Sequence, residues 1–182
     1  MSFLRLRFPL LAVAVALVVA SCGEAAPTAP SAPQATLAPT DSALILGRIY
    51  RGLEGTLLSC SALPAASNSK TIGPAGGVLN VGPHRLIVPA GALDSAVTIT
   101  ATAPSSSTRR VEFAPHGLQF ERAATLQMSY EGCGLLALVL PKRIAYVDGS
   151  LNILEFLLSI DNLWTQTVSG RLDHFSEYAI AW

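Results

Sequence analysis

Near the end of the chain His174 stands two residues before Ser176, with Phe175 between them. An imidazole can take the proton of a nearby hydroxyl, and a hydroxyl activated in this way is a nucleophile. The stretch LDHFSEYAIAW, residues 172 to 182, therefore reads either as a reactive centre or as the strand that closes a β-domain. Strand residues two apart share a face, so His174 and Ser176 can also simply pack or hydrogen-bond there. Asp173 supplies the third residue type of a triad but not its geometry, because adjacent strand residues face opposite sides.

The cysteines carry the remaining chemistry. The N-terminus, MSFLRLRFPLLAVAVALVVASC, joins a basic start at Arg5 and Arg7 to an apolar run over residues 8–19. That run is too short for a permanent membrane span and suits an export signal. Its last four residues, Val19-Ala20-Ser21-Cys22, resemble the lipobox of bacterial lipoproteins, which implies cleavage before Cys22 and a diacylglycerol on its thiol. The alternative is an ordinary signal cut near Ala25 or Ala26, giving a secreted soluble protein. Gly23 follows the cysteine, so the aspartate that retains enteric lipoproteins in the inner membrane is absent, which favours an outer-membrane or surface location. Cys60 and Cys133 remain, and an exported chain with two thiols is expected to pair them.

Other chemistries find little support. There is no Gly-x-Ser-x-Gly elbow, no His-Glu-x-x-His and no phosphate-cradling loop before a helix. Two cysteines and the dispersed His84, His116 and His174 lack metal-ligand spacing, and no cofactor is implied. Of 12 basic and 12 acidic residues, Arg5 and Arg7 leave with the signal, so 10 − 12 gives a mature charge near −2. Basic residues cluster only at Arg109-Arg110 and Lys142-Arg143, which argues against nucleic acid as a partner. The glycines of residues 73–77 read as a turn rather than a ligand cradle.

The elements that would position these residues are mostly strands. Residues 1–21 are the signal and residues 22–42, rich in Ala, Pro, Ser and Thr, form a tether that cannot bury enough apolar surface to order. Residues 43–182 suit one domain. Val97-Thr98-Ile99-Thr100-Ala101-Thr102 alternates apolar and hydroxyl side chains, as a half-buried strand does. Ala124, Leu126, Met128 and Tyr130 share one face of a second strand; Tyr178, Ile180 and Trp182 share one face of a last strand, with Glu177, Ala179 and Ala181 opposite. Residues 44–59 are expected to form a first strand, the leucine-rich residues 135–140 another, and residues 151–160, LNILEFLLSI, a strand buried on both faces, although helical spacing also fits them. Turn signals at Gly82-Pro83, Pro115-His116-Gly117 and Asp148-Gly149 separate the strands. Many short strands at such intervals predict an all-β fold, an antiparallel β-sandwich or partly open barrel.

Three stretches together resemble a known family. They are Ile72-Gly73-Pro74-Ala75-Gly76-Gly77-Val78-Leu79 running into His84-Arg85-Leu86-Ile87-Val88-Pro89-Ala90-Gly91-Ala92-Leu93, then Val111-Glu112-Phe113-Ala114-Pro115-His116-Gly117-Leu118-Gln119-Phe120 followed by Ala123-Ala124-Thr125-Leu126, and lastly His174-Phe175-Ser176-Glu177-Tyr178-Ala179. Their order is similar to the ZU-five domain, the all-β domain of ankyrins, netrin receptors and zonula occludens scaffolds, over residues 72–182. The resemblance implies an interaction module, here a non-enzymatic cell-envelope lipoprotein serving binding, adhesion or structure. Its partners would be an envelope or extracellular protein, and the membrane through Cys22. In some members the His-Phe-Ser tripeptide is where the chain cuts itself. For this chain that implies His174 as base, Ser176 Oγ as nucleophile and the Phe175 carbonyl as target of an N-to-O acyl shift, with hydrolysis at Phe175-Ser176. A third reading is a sandwich that binds carbohydrate or a small ligand, for which the sequence shows no aromatic platform: Trp164 and Trp182 are the only tryptophans, and Trp182 is expected in the core.

Overall fold

The computed structural model describes residues 41–182. The signal segment, the lipid-attachment candidate Cys22 and the tether through residue 40 lie outside the described residues. The fold is an all-β sandwich of two antiparallel sheets, preceded by one helix, α1 (Asp41–Leu53).

Eleven strands follow: β1 (Ala66–Ile72), β2 (Gly77–Val81), β3 (His84–Val88), β4 (Val97–Ala103), β5 (Arg110–Ala114), β6 (Gln119–Ser129), β7 (Arg143–Val147), β8 (Ile153–Phe156), β9 (Ser159–Asn162), β10 (Thr167–His174) and β11 (Glu177–Ala181). One sheet runs β1-β4-β5-β11-β7-β8 and the other β2-β3-β6-β10-β9. The chain changes sheet repeatedly, the last time between β10 and β11.

The alternation in β4 produces the expected division of faces. Ile99, Ala101 and Ala103 are buried, while Thr98 and Thr100 bond across to Thr71 and Ser69 of β1 at 2.9 and 2.7 Å. In β6, Ala124, Leu126, Met128 and, just beyond it, Tyr130 all face the core. Tyr178, Ile180 and Trp182 do so from the C-terminal end. Ala179 and Ala181 are equally buried, because Leu57, Leu151, Ile153 and Phe156 cover the outer face of the sheet there. A strand between β5 and β7 has neighbours on both sides, and here a cover on its outer face as well.

Three expected strands differ. Residues 44–59 do not form a first strand: Ile45, Ile49 and Leu53 recur at helical spacing in α1, and only residues beyond Gly55 (φ 80°) run extended, Leu57 bridging Ala181 and Ser59 bridging Thr108. The helix begins at Asp41, the first described residue. Residues 135–140 contain a short 3-10 helix, Leu136–Leu138, because the Ala137 and Leu140 carbonyls turn inward to accept from Lys142 Nζ. Residues 151–160 are extended but not buried on both faces. They divide into β8 and the start of β9, which are the edges of different sheets, and the chain crosses at Leu157-Leu158. Leu154, Leu158 and Ile160 consequently point to solvent.

The Cys60–Cys133 disulfide forms, with Cα atoms 4.1 Å apart, and ties the segment before β1 to the loop after β6. Among the described residues no helix is long and apolar enough to cross a membrane.

Candidate functional site

His174 and Ser176 do not lie on one strand. His174 ends β10 in one sheet and Ser176 immediately precedes β11 in the other, so the expectation that they share a strand face is replaced by a corner. Phe175 fills that corner. It is 1% exposed, stacked on Phe113 at 5.1 Å between ring centroids and edge-on to Phe120 at 4.9 Å. The Phe175 amide donates to the Leu118 carbonyl at 2.7 Å, and its own carbonyl accepts from Gly117 N–H at 3.1 Å. The Ser176 carbonyl accepts from Phe113 N–H at 3.0 Å. Three backbone hydrogen bonds and two ring contacts therefore hold the chain on both sides of the Phe175-Ser176 bond.

The histidine ring turns towards the tyrosines. It meets Tyr146 edge-on at 5.3 Å, and Nδ1 lies 3.5 Å from Tyr178 Oη. The Tyr178 hydroxyl donates to the His174 carbonyl at 2.6 Å. This closes a corner of the kind in which a tyrosine just past a turn bonds back to the chain a few residues upstream. Burial first, then the Tyr146, Asp173 and Glu155 charges, push the Tyr178 phenol well above its ordinary range, so it stays a donor. Among the described residues no hydrogen bond joins the His174 ring to Ser176 Oγ.

His174 also lines a cleft of about 240 Å³ where β7 and β8 part from β10. Tyr146, Glu155, Leu158, Arg171 and Asp173 share that lining, and Arg171 pairs with Asp173 at 3.3 Å. Leu158 at the cleft, Ile160 in the edge strand β9 and Trp164 in the turn after it are 81%, 75% and 98% exposed. A row of apolar side chains on two sheet edges is the arrangement that soluble proteins ordinarily avoid.

The other chemistry-bearing residues are dispersed. His116 is exposed and pairs with Glu112 at 3.0 Å. His84 is buried, its Nδ1 accepting from Ser129 N–H at 3.2 Å, and burial followed by the Arg109 charge lowers its pKa to about 4. Arg109 is itself buried and donates to the Ser61 and Glu131 carbonyls at 2.7 and 3.2 Å. Among the described residues no three histidine, cysteine, aspartate or glutamate side chains stand close enough to hold a metal ion. The glycines of residues 73–77 form a tight turn: Gly76 has φ 74°, and a Cβ there would lie 2.5 Å from the Val88 carbonyl oxygen.

One constellation escaped sequence reasoning. The Lys142 side chain is fully buried, its ammonium donating to the Ala137 and Leu140 carbonyls and pairing with Asp161 Oδ2 at 3.1 Å. The Tyr130 hydroxyl donates to Asp161 Oδ1 at 2.8 Å, and Lys142 Nζ stands 4.1 Å from the Tyr130 ring centroid. Burial lowers the Lys142 pKa while Asp161 opposes the shift. With three acceptors for three protons, the group is a satisfied structural ion rather than a free nucleophile.

No protein-family model matches the chain, and no curated protein matches it.

Proposed function

We propose that the chain is an exported, non-enzymatic cell-envelope lipoprotein, anchored through Cys22, whose ZU-five-like sandwich is a binding, adhesion or structural module. The observation that carries this reading is the apolar edge at Leu158, Ile160 and Trp164. Exposed apolar side chains gathered beside a cleft mark a protein-binding surface more often than a catalytic one. The partner is an envelope or extracellular protein that offers an apolar strip or strand to this edge. Gly23 after the lipidated cysteine favours the outer membrane or cell surface.

The test is capture from a solubilised envelope by the mature chain, set against Ile160→Asp with Trp164→Ala. Loss of a specific partner in the double variant supports the reading. A partner retained unchanged, or none captured, overturns it. If binding on a glycan array instead depends on Tyr146, the cleft is a carbohydrate site and the alternative of a ligand-binding sandwich takes over.

One observation favours the self-processing reading. The Phe175 carbonyl, the target of Ser176 Oγ in that chemistry, already accepts the Gly117 N–H, which would also stabilise the oxyanion of the acyl shift. His174 would have to turn from Tyr146 to reach the serine. Intact mass of the mature chain decides: two fragments divided at Phe175-Ser176, lost in Ser176→Ala, establish cleavage, and a single uncut species in both removes it.

A further inference from the structure

We propose that α1 is a membrane-surface helix, which lays Ile45, Leu46 and Ile49 into the headgroup boundary of the bilayer that holds the Cys22 lipid. This rests on the lipid-anchor reading above. The helix carries an apolar stripe at Ile45, Leu46, Ile49, Tyr50 and Leu53, the spacing of one helical face. Only Tyr50 and Leu53, at its C-terminal end, pack against the core. Ile45, Leu46 and Ile49 remain 55%, 38% and 36% exposed.

The apolar surface continues past the helix. Leu53 and Leu57 meet Leu135 and Trp182 in an open, mostly apolar groove of about 340 Å³. Leu135, at its rim, is 82% exposed.

Charge selects the occupant. Arg48 and Arg51 are exposed on the helix, and no acidic residue lies between Asp41 and Glu54. Arg48 and Arg51 lie opposite the apolar stripe, flanking Leu44, and a basic side opposite such a stripe suits an interfacial helix on anionic lipid. A second copy docked on the apolar stripe would leave both arginines on the outer side with no counter-charge.

The length of the preceding chain makes a weak affinity sufficient. Eighteen residues, 23–40, separate Cys22 from α1. A chain of that length reaches no more than about 65 Å at full stretch. It holds the helix near the surface at an effective concentration of order millimolar. A helix that binds free vesicles only in the high micromolar range is then mostly docked once the lipid is in place.

The experiment uses the mature chain with Cys22→Ser, so that no lipid contributes, and co-sedimentation with phosphatidylethanolamine–phosphatidylglycerol vesicles. The wild-type helix is expected to carry the protein down with the vesicles. Ile45→Asp with Ile49→Asp is expected to lower partitioning by roughly tenfold or more, since it places charge where apolar surface should enter. Arg48→Gln with Arg51→Gln should weaken binding to these vesicles but not to phosphatidylcholine alone. Both aspartates sit at solvent-exposed positions, and an unchanged unfolding midpoint separates lost docking from lost fold. Absence of co-sedimentation, or equal co-sedimentation of wild type and the aspartate variant, overturns the proposal. So does a dimer in sedimentation velocity, without vesicles, that the aspartate variant dissolves. Palmitate labelling of the wild-type chain, against Cys22→Ser, reports the anchor separately. Labelling without vesicle binding sinks the helix alone, and vesicle binding without labelling sinks the anchor alone.

Discussion

The Tyr178 hydroxyl donates to the carbonyl of His174 at 2.6 Å, across the point where the chain leaves one sheet for the other. This bond sets the angle of the corner and holds Phe175 over Phe113. Tyr178→Phe keeps the ring and removes the donor, leaving a carbonyl in the corner without its partner. The expected cost is about 1–2 kcal/mol in urea unfolding. An unchanged midpoint would show that the aromatic packing fixes the corner without the bond.

His84 makes stability depend on pH. Its pKa falls from the ordinary 6.5 to about 4 in the folded chain, through burial and then the Arg109 charge. The unfolded chain therefore takes up a proton that the folded chain refuses. Stability from this group is complete above pH 6.5 and is lost as the pH falls towards 4, by up to about 3 kcal/mol. The difference between wild type and His84→Gln, measured by denaturant unfolding across that window, should shrink accordingly. A difference constant from pH 7 to 4 would refute the assignment.

Lys142 and Asp161 should show strong coupling. Lys142→Met leaves the Asp161 carboxylate nearly buried with only the Tyr130 hydroxyl and the Lys142 backbone amide, and should cost about 3–5 kcal/mol. Lys142→Met with Asp161→Leu removes both charges and should cost well under the sum of the single changes. Additive costs in a double-mutant cycle would mean that the pair is not acting as one buried ion pair.

The disulfide closes a separation of 73 residues. In the chain-entropy account such a loop stabilises by about 4 kcal/mol, an upper figure. Cys60→Ser with Cys133→Ser should approach that loss in denaturant midpoint, and non-reducing digestion should yield one Cys60–Cys133 peptide from the wild type.

Much of the fold was legible where one strand face is polar. Thr98 and Thr100 announced β4, and Thr125, Gln127 and Ser129 announced β6, because alternation records a single buried face. The same rule misled at residues 151–160, where apolar residues on two sheet edges look like a doubly buried strand although Leu154, Leu158 and Ile160 meet solvent. It misled again at residues 44–59, where Ile45, Ile49 and Leu53 follow a helical period that the β-rich surroundings obscured. The residues of the candidate corner stood out in the sequence, but its shape did not. His174 and Ser176 look like strand neighbours until the chain is seen to change sheets between them. Lys142 gave no signal, since its partner Asp161 lies nineteen positions on and is reached only across the sandwich.

The bond between Cys60 and Cys133 also determines how the protein carries force. A pull entering at Asp41 passes along α1 to Cys60, crosses the sulfurs to Cys133 and continues to the β8–β9 edge. A covalent line from Asp41 to Trp164 thus skips β1 to β6. Those six strands would feel the pull only through their hydrogen bonds to neighbouring strands, while covalent tension would run through the short stretch from Cys133 to Trp164 beside the bridge of Leu57 to Ala181. In the reduced protein the same pull would be drawn through every strand of the first half, so the oxidation state sets which part of the sandwich would yield first.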